Sequence, residues 1–412
     1  MYRNRLPRKL KVALYSHDSQ GLGHVRRNLC ITQAFSRCDP SPSTLLIVGA
    51  REAALFSTPR GVDFLSLPAI SKENDGKYAS RSLDMPLEKI SELRANTIRS
   101  VLDLFSPDVF VIDKHPTGIL GELEKTLELL REKGGTRCVL GLRDVLDHPS
   151  AVWKEWHRLG TDAVVSSFFD EVWVYSDPTI YDPISECRIC QDINVPIRYT
   201  GYLGRKHELD AHTKGLNGLN KPPGVPAGRF VLCMVGGGQD GFKVAEAFAN
   251  AELPDDTHAV LVTGPFMSAD KKRKLGRASE NNRRLTVFEF YKWPELLLQA
   301  AWKVVSMGGY NTVIEMLSLR KNGLIVPRVK PRSEQLIRAE RLQKLGLLDM
   351  VHPDKLTPAA LSRWFASDVV ERPFARIDLM GTQRISGFLA RLVSKNPVAE
   401  SRSAGVAEYG II

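Results

Sequence analysis

Short β-branched apolar runs alternate with longer amphipathic stretches from one end of the chain to the other. This alternation constrains the fold more than any other feature. In the first half the runs are "KVALYSH" (11–17), "TLLIVGA" (44–50), "VDFLSLP" (62–68), "DVFVID" (108–113), "RCVLGLRD" (137–144) and "EVWVYSD" (171–177). Helical patterns such as "HVRRNLCITQAFSR" and "LEKISELRANTIRSVLDLF" lie between them. Strands that are apolar throughout and separated by helices require a parallel sheet covered on both faces. The pattern stops near "YTGYLGRK" and gives way to the polar, Gly- and Pro-rich segment 207–229, a linker signature. It restarts with "FVLCMVGGG" (230–238), "HAVLVTGP" (258–265), "LTVFEF" (285–290), "KVVSMGG" (303–309) and "GLIVPR" (323–328). The reading is α/β, with two doubly wound Rossmann-like domains. The expected boundaries are 10–205, a linker 206–228, a second domain 229–375, a C-terminal helix 376–395 and a tail 396–412.

Composition adds limits. A chain of 412 residues with 43% apolar content can bury two cores of ordinary size. No window reaches the roughly 18 apolar residues of a membrane span, and the basic start lacks the apolar stretch of a signal peptide. The expected location is the cytoplasm. The six cysteines suit reduced thiols, and the single C-x-x-C, Cys187 and Cys190, has no partner pair at zinc spacing. A net charge of +10 favours an anionic partner. The basic runs at 271–274 and 281–284 read first as solvated helix faces, and no nucleic-acid-binding motif accompanies them.

In doubly wound sheets ligands sit beyond the carboxyl ends of the strands, and two such domains place the site in the cleft between them. The first loop to consider is "SHDSQGLGHVRRNL". Gly21 and Gly23 permit a tight turn and His24 falls at the start of a helix. Arg26 stands where a dinucleotide fingerprint needs its third glycine, so that motif is excluded. His24 is either a helix-start residue with its ring in solvent or a base facing the cleft. "DVFVIDKHP" puts Asp113 and His115 at a neighbouring strand end. Asp113 could be a base, orient His24, or cap a helix beginning near Pro116.

In the second half, Gly236, Gly237 and Gly238 remove side chains where backbone amides can approach a diphosphate. Gly308 and Gly309 end a later strand, and Asn311 and Thr312 follow. Thr312-x-x-Glu315 matches a capping box, and taken alone it reads first as a cap. Next comes a basic loop with Arg328, Lys330 and Arg332. Ser333 is placed to cap the helix after it, and Glu334 and Gln335 project at its start with groups suited to sugar hydroxyls. The chain has no D-x-D triplet, so helix-start amides and basic side chains would take the electrostatic role of a metal.

With these loops in place the chain resembles the GT-B glycosyltransferases. The resemblance is to the family typified by the bacterial enzyme that adds N-acetylglucosamine in peptidoglycan assembly, glycosyltransferase family 28. It covers roughly residues 10 to 395 and is strongest over "VSMGGYNTVIEMLSLRKNGLIVPRVKPRSEQLIRAERLQKLGLL". It implies two Rossmann-like domains facing a cleft, with the C-terminal helix packing back on the first. It further implies donor phosphates at Gly236–Gly238 and at the turn of Ser306, Gly308, Gly309, Asn311 and Thr312, ribose at Glu315, and donor sugar at Glu334 and Gln335. Gly21, Gly23 and His24 match the acceptor-side loop. The chain departs from the family in its shorter first glycine run and in Trp302-Lys303, where Ala-Asp is expected.

The resulting expectation is an inverting, metal-independent hexosyltransferase of glycoconjugate or cell-envelope biosynthesis. Its donor is a nucleotide-diphosphate sugar, with UDP as the nucleotide. His24 is the base, Asp113 its partner or substitute, and Arg328 assists the leaving diphosphate. The donor is a substrate, so no cofactor or metal is expected. The acceptor is left open among lipid-linked, saccharide and small-molecule classes. The basic charge permits peripheral attachment to the inner face of a membrane, and nucleic acid is not an expected partner. Two alternatives stand beside this reading: a nucleotide-sugar 2-epimerase or hydrolase on the same fold, and a non-catalytic basic binding protein.

Overall fold

The computed structural model describes residues 8–18, 21–72, 78–204 and 222–394. Most of the expected linker and all of the expected tail lie outside these residues. The first half forms strands β1 (Lys11–Ser16), β2 (Ser43–Val48), β3 (Val62–Ser66), β6 (Val109–Asp113), β7 (Arg137–Arg143), β8 (Glu171–Tyr175) and β9 (Ile197–Tyr199), with a small antiparallel ribbon of β4 (Ile70–Lys72) and β5 (Tyr78–Ser80). The second half forms β10 (Arg229–Met234), β11 (Thr257–Val262), β12 (Leu285–Phe288), β13 (Lys303–Ser306), β14 (Asn322–Ile325) and β15 (Asp349–Met350).

Both large sheets are parallel throughout. The first runs β3-β2-β1-β6-β7-β8-β9 and the second β12-β11-β10-β13-β14-β15. The second order is the doubly wound 3-2-1-4-5-6, and the first follows the same winding with its ribbon set aside. Every residue of β6, β8 and β13 is buried, as strands covered by helices on both faces must be. Order reverses between β1 and β6 and again between β10 and β13. The loops leaving those four strands therefore open onto the crevices.

The Gly381–Ser394 helix crosses back and packs on the Gly23–Phe35 helix of the first domain. Ile385, Leu389 and Leu392 join the buried apolar cluster that holds Phe35 and Trp173, and Ser386 Oγ donates to Ala34 O at 3.1 Å. The return segment is fastened to the end of the first sheet. Tyr202 N donates to Asp378 O at 2.8 Å, Gly381 N to Tyr202 O at 2.9 Å, and Arg384 Nη1 to Thr200 O at 2.8 Å.

Local differences from the sequence reading have simple causes. No helix begins near Pro116. The chain after β6 makes a 3-10 turn at Ile119–Gly121 before the Glu124–Lys133 helix, so Asp113 has no helix to cap. Strands β4, β5, β9 and β15 are two or three residues long, too short to carry a readable apolar period. The basic run 271–274 lies on the Ala269–Asn281 helix, where Leu275 alone is buried. The six cysteines are free. Among the described residues, no helix is long and apolar enough to cross a membrane, and no group of three or more His, Cys, Asp or Glu is placed to hold a metal ion.

Candidate active site

The loops leaving β1, β6, β10 and β13 meet across a cleft of about 380 Å³. Gly21, Gly23 and His24 line its first-domain wall, and Gly236–Gly238, Gly309, Asn311, Thr312, Arg328, Glu334 and Gln335 line the other. Asn311 Nδ2 donates to Gly23 O at 2.8 Å, so the two glycine turns touch across the gap. Asp18 shapes the first of them. Its carboxylate accepts from Val25 N at 3.2 Å, Gly49 N at 3.1 Å and Ser16 Oγ at 2.7 Å.

The His24 ring does not project into solvent, because its side chain is only 14% exposed. Nδ1 lies 2.5 Å from Asp113 Oδ2. Arg27 grips the same carboxylate, with Nε 3.1 Å from Oδ1 and Nη2 bonded to Oδ2. Burial alone would raise Asp113, but Arg27 and His24 outweigh it and hold the carboxyl below the usual range. An ionised Asp113 can only accept, so the proton sits on His24 Nδ1 and Nε2 keeps its lone pair. Burial lowers His24 to about 4 against the pull of Asp113, and the nearby Arg27 charge adds to the lowering. A neutral imidazole with a fixed tautomer is the form a general base requires.

The second-domain wall is built from two glycine turns. Gly238 has φ +92°, and a Cβ there would lie 2.2 Å from Thr263 O. Gly308 has φ +84°, and a Cβ there would lie 2.8 Å from Ile325 Cγ2. This turn starts the Tyr310–Ser318 helix early, with Gly309 as N-cap and no side chain capping it. The capping box is therefore absent, since Thr312 stands inside the helix where the motif needs it ahead. Ser306 and Gly308 lie behind the lining; Gly308 N approaches Ser306 Oγ at 3.4 Å, and Gly308 O accepts from Arg338 Nη1 at 2.8 Å. Glu315 also stands back from the cleft. It is 1% exposed, and Oε1 accepts from Arg26 Nη2 at 2.6 Å across the domain boundary.

Arg328 ties the far end together. Nη1 donates to Asp240 Oδ2 at 3.1 Å, Nη2 to Glu334 Oε1 at 2.5 Å, and its backbone N to Gln335 Oε1 at 2.9 Å. Burial would raise Glu334, but Arg143, Arg328 and Arg338 bring it down to about 2. Ser333 does not cap its helix; its N and Oγ reach Asp147 Oδ1 of the first domain at 2.9 and 3.3 Å.

Several residues were missed by the sequence reading. His17 sits between His24 and His115, with ring centroids 4.8 and 5.1 Å away. Tyr310 OH donates to Tyr175 O at 2.7 Å, and Arg338 is bidentate on Asp144 at 2.7 and 2.5 Å. Arg27 was legible in principle, since His24 and Arg27 are three apart on one helix and share a face. The cross-domain pairs had no local signal.

Residues 231–371 match the Glycosyltransferase family 28 C-terminal domain. A curated relative from Shouchella clausii (strain KSM-K16), UDP-N-acetylglucosamine--N-acetylmuramyl-(pentapeptide) pyrophosphoryl-undecaprenol N-acetylglucosamine transferase, is 30% identical over 139 residues. That match covers 33% of this chain and 38% of the relative, so the chain spans little more than a third of that protein's length. Among solved structures, the calicheamicin glycosyltransferase CalG4 aligns with TM-score 0.57 at 15% identity, covering 94% of this chain and 99% of its own. A UDP-glucosyltransferase from Polygonum tinctorium capable of glucosylating indoxyl aligns with TM-score 0.55 at 14% identity, covering 94% and 96%. These structural likenesses establish the two-domain fold.

Proposed function

We propose, from the premise that this chain is a GT-B glycosyltransferase with a family 28 C-terminal domain, that it moves a hexose or N-acetylhexosamine from a UDP-sugar to an acceptor hydroxyl with inversion and without a metal. The observation that carries the reading is the neutral His24, fixed by Asp113 and facing two glycine turns across the cleft. His24 Nε2 takes the hydroxyl proton while the oxygen attacks the anomeric carbon from the face opposite the leaving group. Asp113 stabilises the imidazolium that forms, and Arg27 keeps Asp113 ionised. The leaving diphosphate is held by amides at Gly236–Gly238 and at the start of the Tyr310–Ser318 helix, together with Arg328. Glu334 and Gln335 meet the donor sugar. Glu315 takes the ribose hydroxyls once Arg26 gives it up. No cofactor enters this chemistry. The reading keeps the enzyme on the cytoplasmic side, with its basic surface suited to contact with an anionic membrane.

The test is UDP release from UDP-sugars with and without an acceptor extract. His24→Gln should lower kcat by about 10²–10⁴ while UDP affinity stays at the wild-type value, and a chelator should change neither. An undiminished kcat in a folded His24→Gln protein overturns the assignment of the base. Rapid product formation with no acceptor present would instead select a 2-epimerase or hydrolase.

A further inference from the structure

A second chamber of about 160 Å³ adjoins the cleft inside the first domain. Its apolar walls are Leu146, Val152, Trp156 and Val164, from the loop after β7 and the Pro149–Arg158 and Thr161–Phe168 helices. Lys114, His115 and Arg332 line both spaces and so form the neck between them. Arg143 lines the cleft on the same side.

The charges at this neck are poorly compensated. Among the described residues no carboxylate lies within ion-pair distance of Lys114. Arg143 reaches Glu334 only at 3.9 Å, and its buried Nε donates to no acceptor among the described residues. Arg332 reaches Asp147 at 3.9 Å, and that carboxylate already accepts from Ser333. Glu124 and Glu155, the other acids of the chamber, stand on its exposed rim. Burial, then Arg332 and Arg143, hold Lys114 well below the usual lysine range, only partly opposed by Glu155 and Glu334, so an oxyanion arriving at the neck would favour its charged form. Cations gathered inside an acidic rim attract an oxyanion to the neck and nowhere else in the chamber. The chamber itself has the size of cavities that hold one benzene ring, about 150 Å³.

We infer that the acceptor of this enzyme is a compact hydroxylated molecule with an oxyanionic group, carboxylate or phosphate, bound at Lys114, Arg143 and Arg332, and a single ring-sized apolar group seated in the chamber. This rests on the glycosyl-transfer reading and adds the acceptor's chemical class. A long lipid chain does not fit the chamber, so a lipid acceptor would have to leave its tail outside.

Binding separates this inference from that reading. Calorimetric titrations of the UDP-saturated protein would use 3-phenyllactate, its neutral methyl ester, and phenyl phosphate, each up to millimolar concentration. The expected result is binding of 3-phenyllactate or phenyl phosphate, with the ester at least about tenfold weaker; the tighter of the two anions identifies the oxyanion. Lys114→Met and Arg332→Gln should erase the preference for the anion, and Val164→Phe should abolish all three ligands. UDP binding should be retained in every variant, which also reports folding. The inference is overturned if neither anion binds, if ester and acid bind alike, or if the variants bind as wild type does. Failure of UDP to bind would sink the donor reading instead, and the same probe titrations of the UDP-free protein would then test the chamber on their own.

Discussion

A buried imidazole that resists charging is a base with a wide working range. With His24 lowered to about 4, protonation should not limit the reaction near pH 6.5, where a free histidine titrates. We expect kcat/KM to hold from pH 7 to pH 5.5, and a fall centred near 6.5 would contradict the burial of this ring. Stability has the opposite sensitivity. His17, His24 and His115 are all lowered in the folded protein, so below pH 6.5 the unfolded chain binds more protons and stability declines as pH falls. His115→Gln should flatten that decline when Tm is followed from pH 7 to pH 5. The paired residues Arg26 and Glu315 make a second prediction at this scale. If Glu315 meets the ribose, Glu315→Ala should weaken UDP binding by about 1–3 kcal/mol. Arg26→Met should leave it equal or tighter, because it removes a competitor for the same carboxylate. Parallel losses in both variants would mean that the pair is structural.

Elements set the two glycine turns, and here the sequence was most legible. Apolar runs followed by Gly236–Gly238 and Gly308–Gly309 located strand ends, helix starts and the cleft, because strand and helix periods are local. Gly238→Ala should cost at least about 1–3 kcal/mol, from its positive φ and the contact with Thr263 O, and should reduce UDP affinity. The start of β13 was harder to interpret. Lys303, where the resembled family has an acid, is fully buried, and its ammonium donates to Trp364 O at 2.8 Å, Phe365 O at 3.2 Å and Ser367 O at 2.6 Å. It thus closes the carbonyl end of the Pro358–Ala366 helix. Lys303→Met should lower stability by on the order of 1–3 kcal/mol without altering UDP affinity. The reason a lysine is tolerated there is tertiary: its partners come more than sixty positions later.

The whole molecule is held by contacts no local pattern announces. Arg26 and Glu315 are 289 positions apart, and Asp144 and Arg338 are 194 apart. Each residue alone reads as an ordinary surface charge, and only the docking of the two domains pairs them. Arg338→Met would strand a fully buried Asp144 carboxylate, at a cost of about 3–5 kcal/mol. Calorimetry should then resolve separate unfolding of the two domains if this pair couples them. A single transition at the wild-type Tm would show that the apolar cluster spanning both halves suffices.

The return of the Gly381–Ser394 helix to the first domain has a consequence for synthesis. The apolar side of the Gly23–Phe35 helix leaves the ribosome before the whole second domain, yet its cover follows only after that domain. The first domain therefore waits, incompletely covered, through translation of the entire second domain, at rates of about 5–20 residues per second. A nascent chain stalled before residue 381 should be more readily cut by protease near Phe35 than the released protein, and truncation there should leave both domains prone to aggregation.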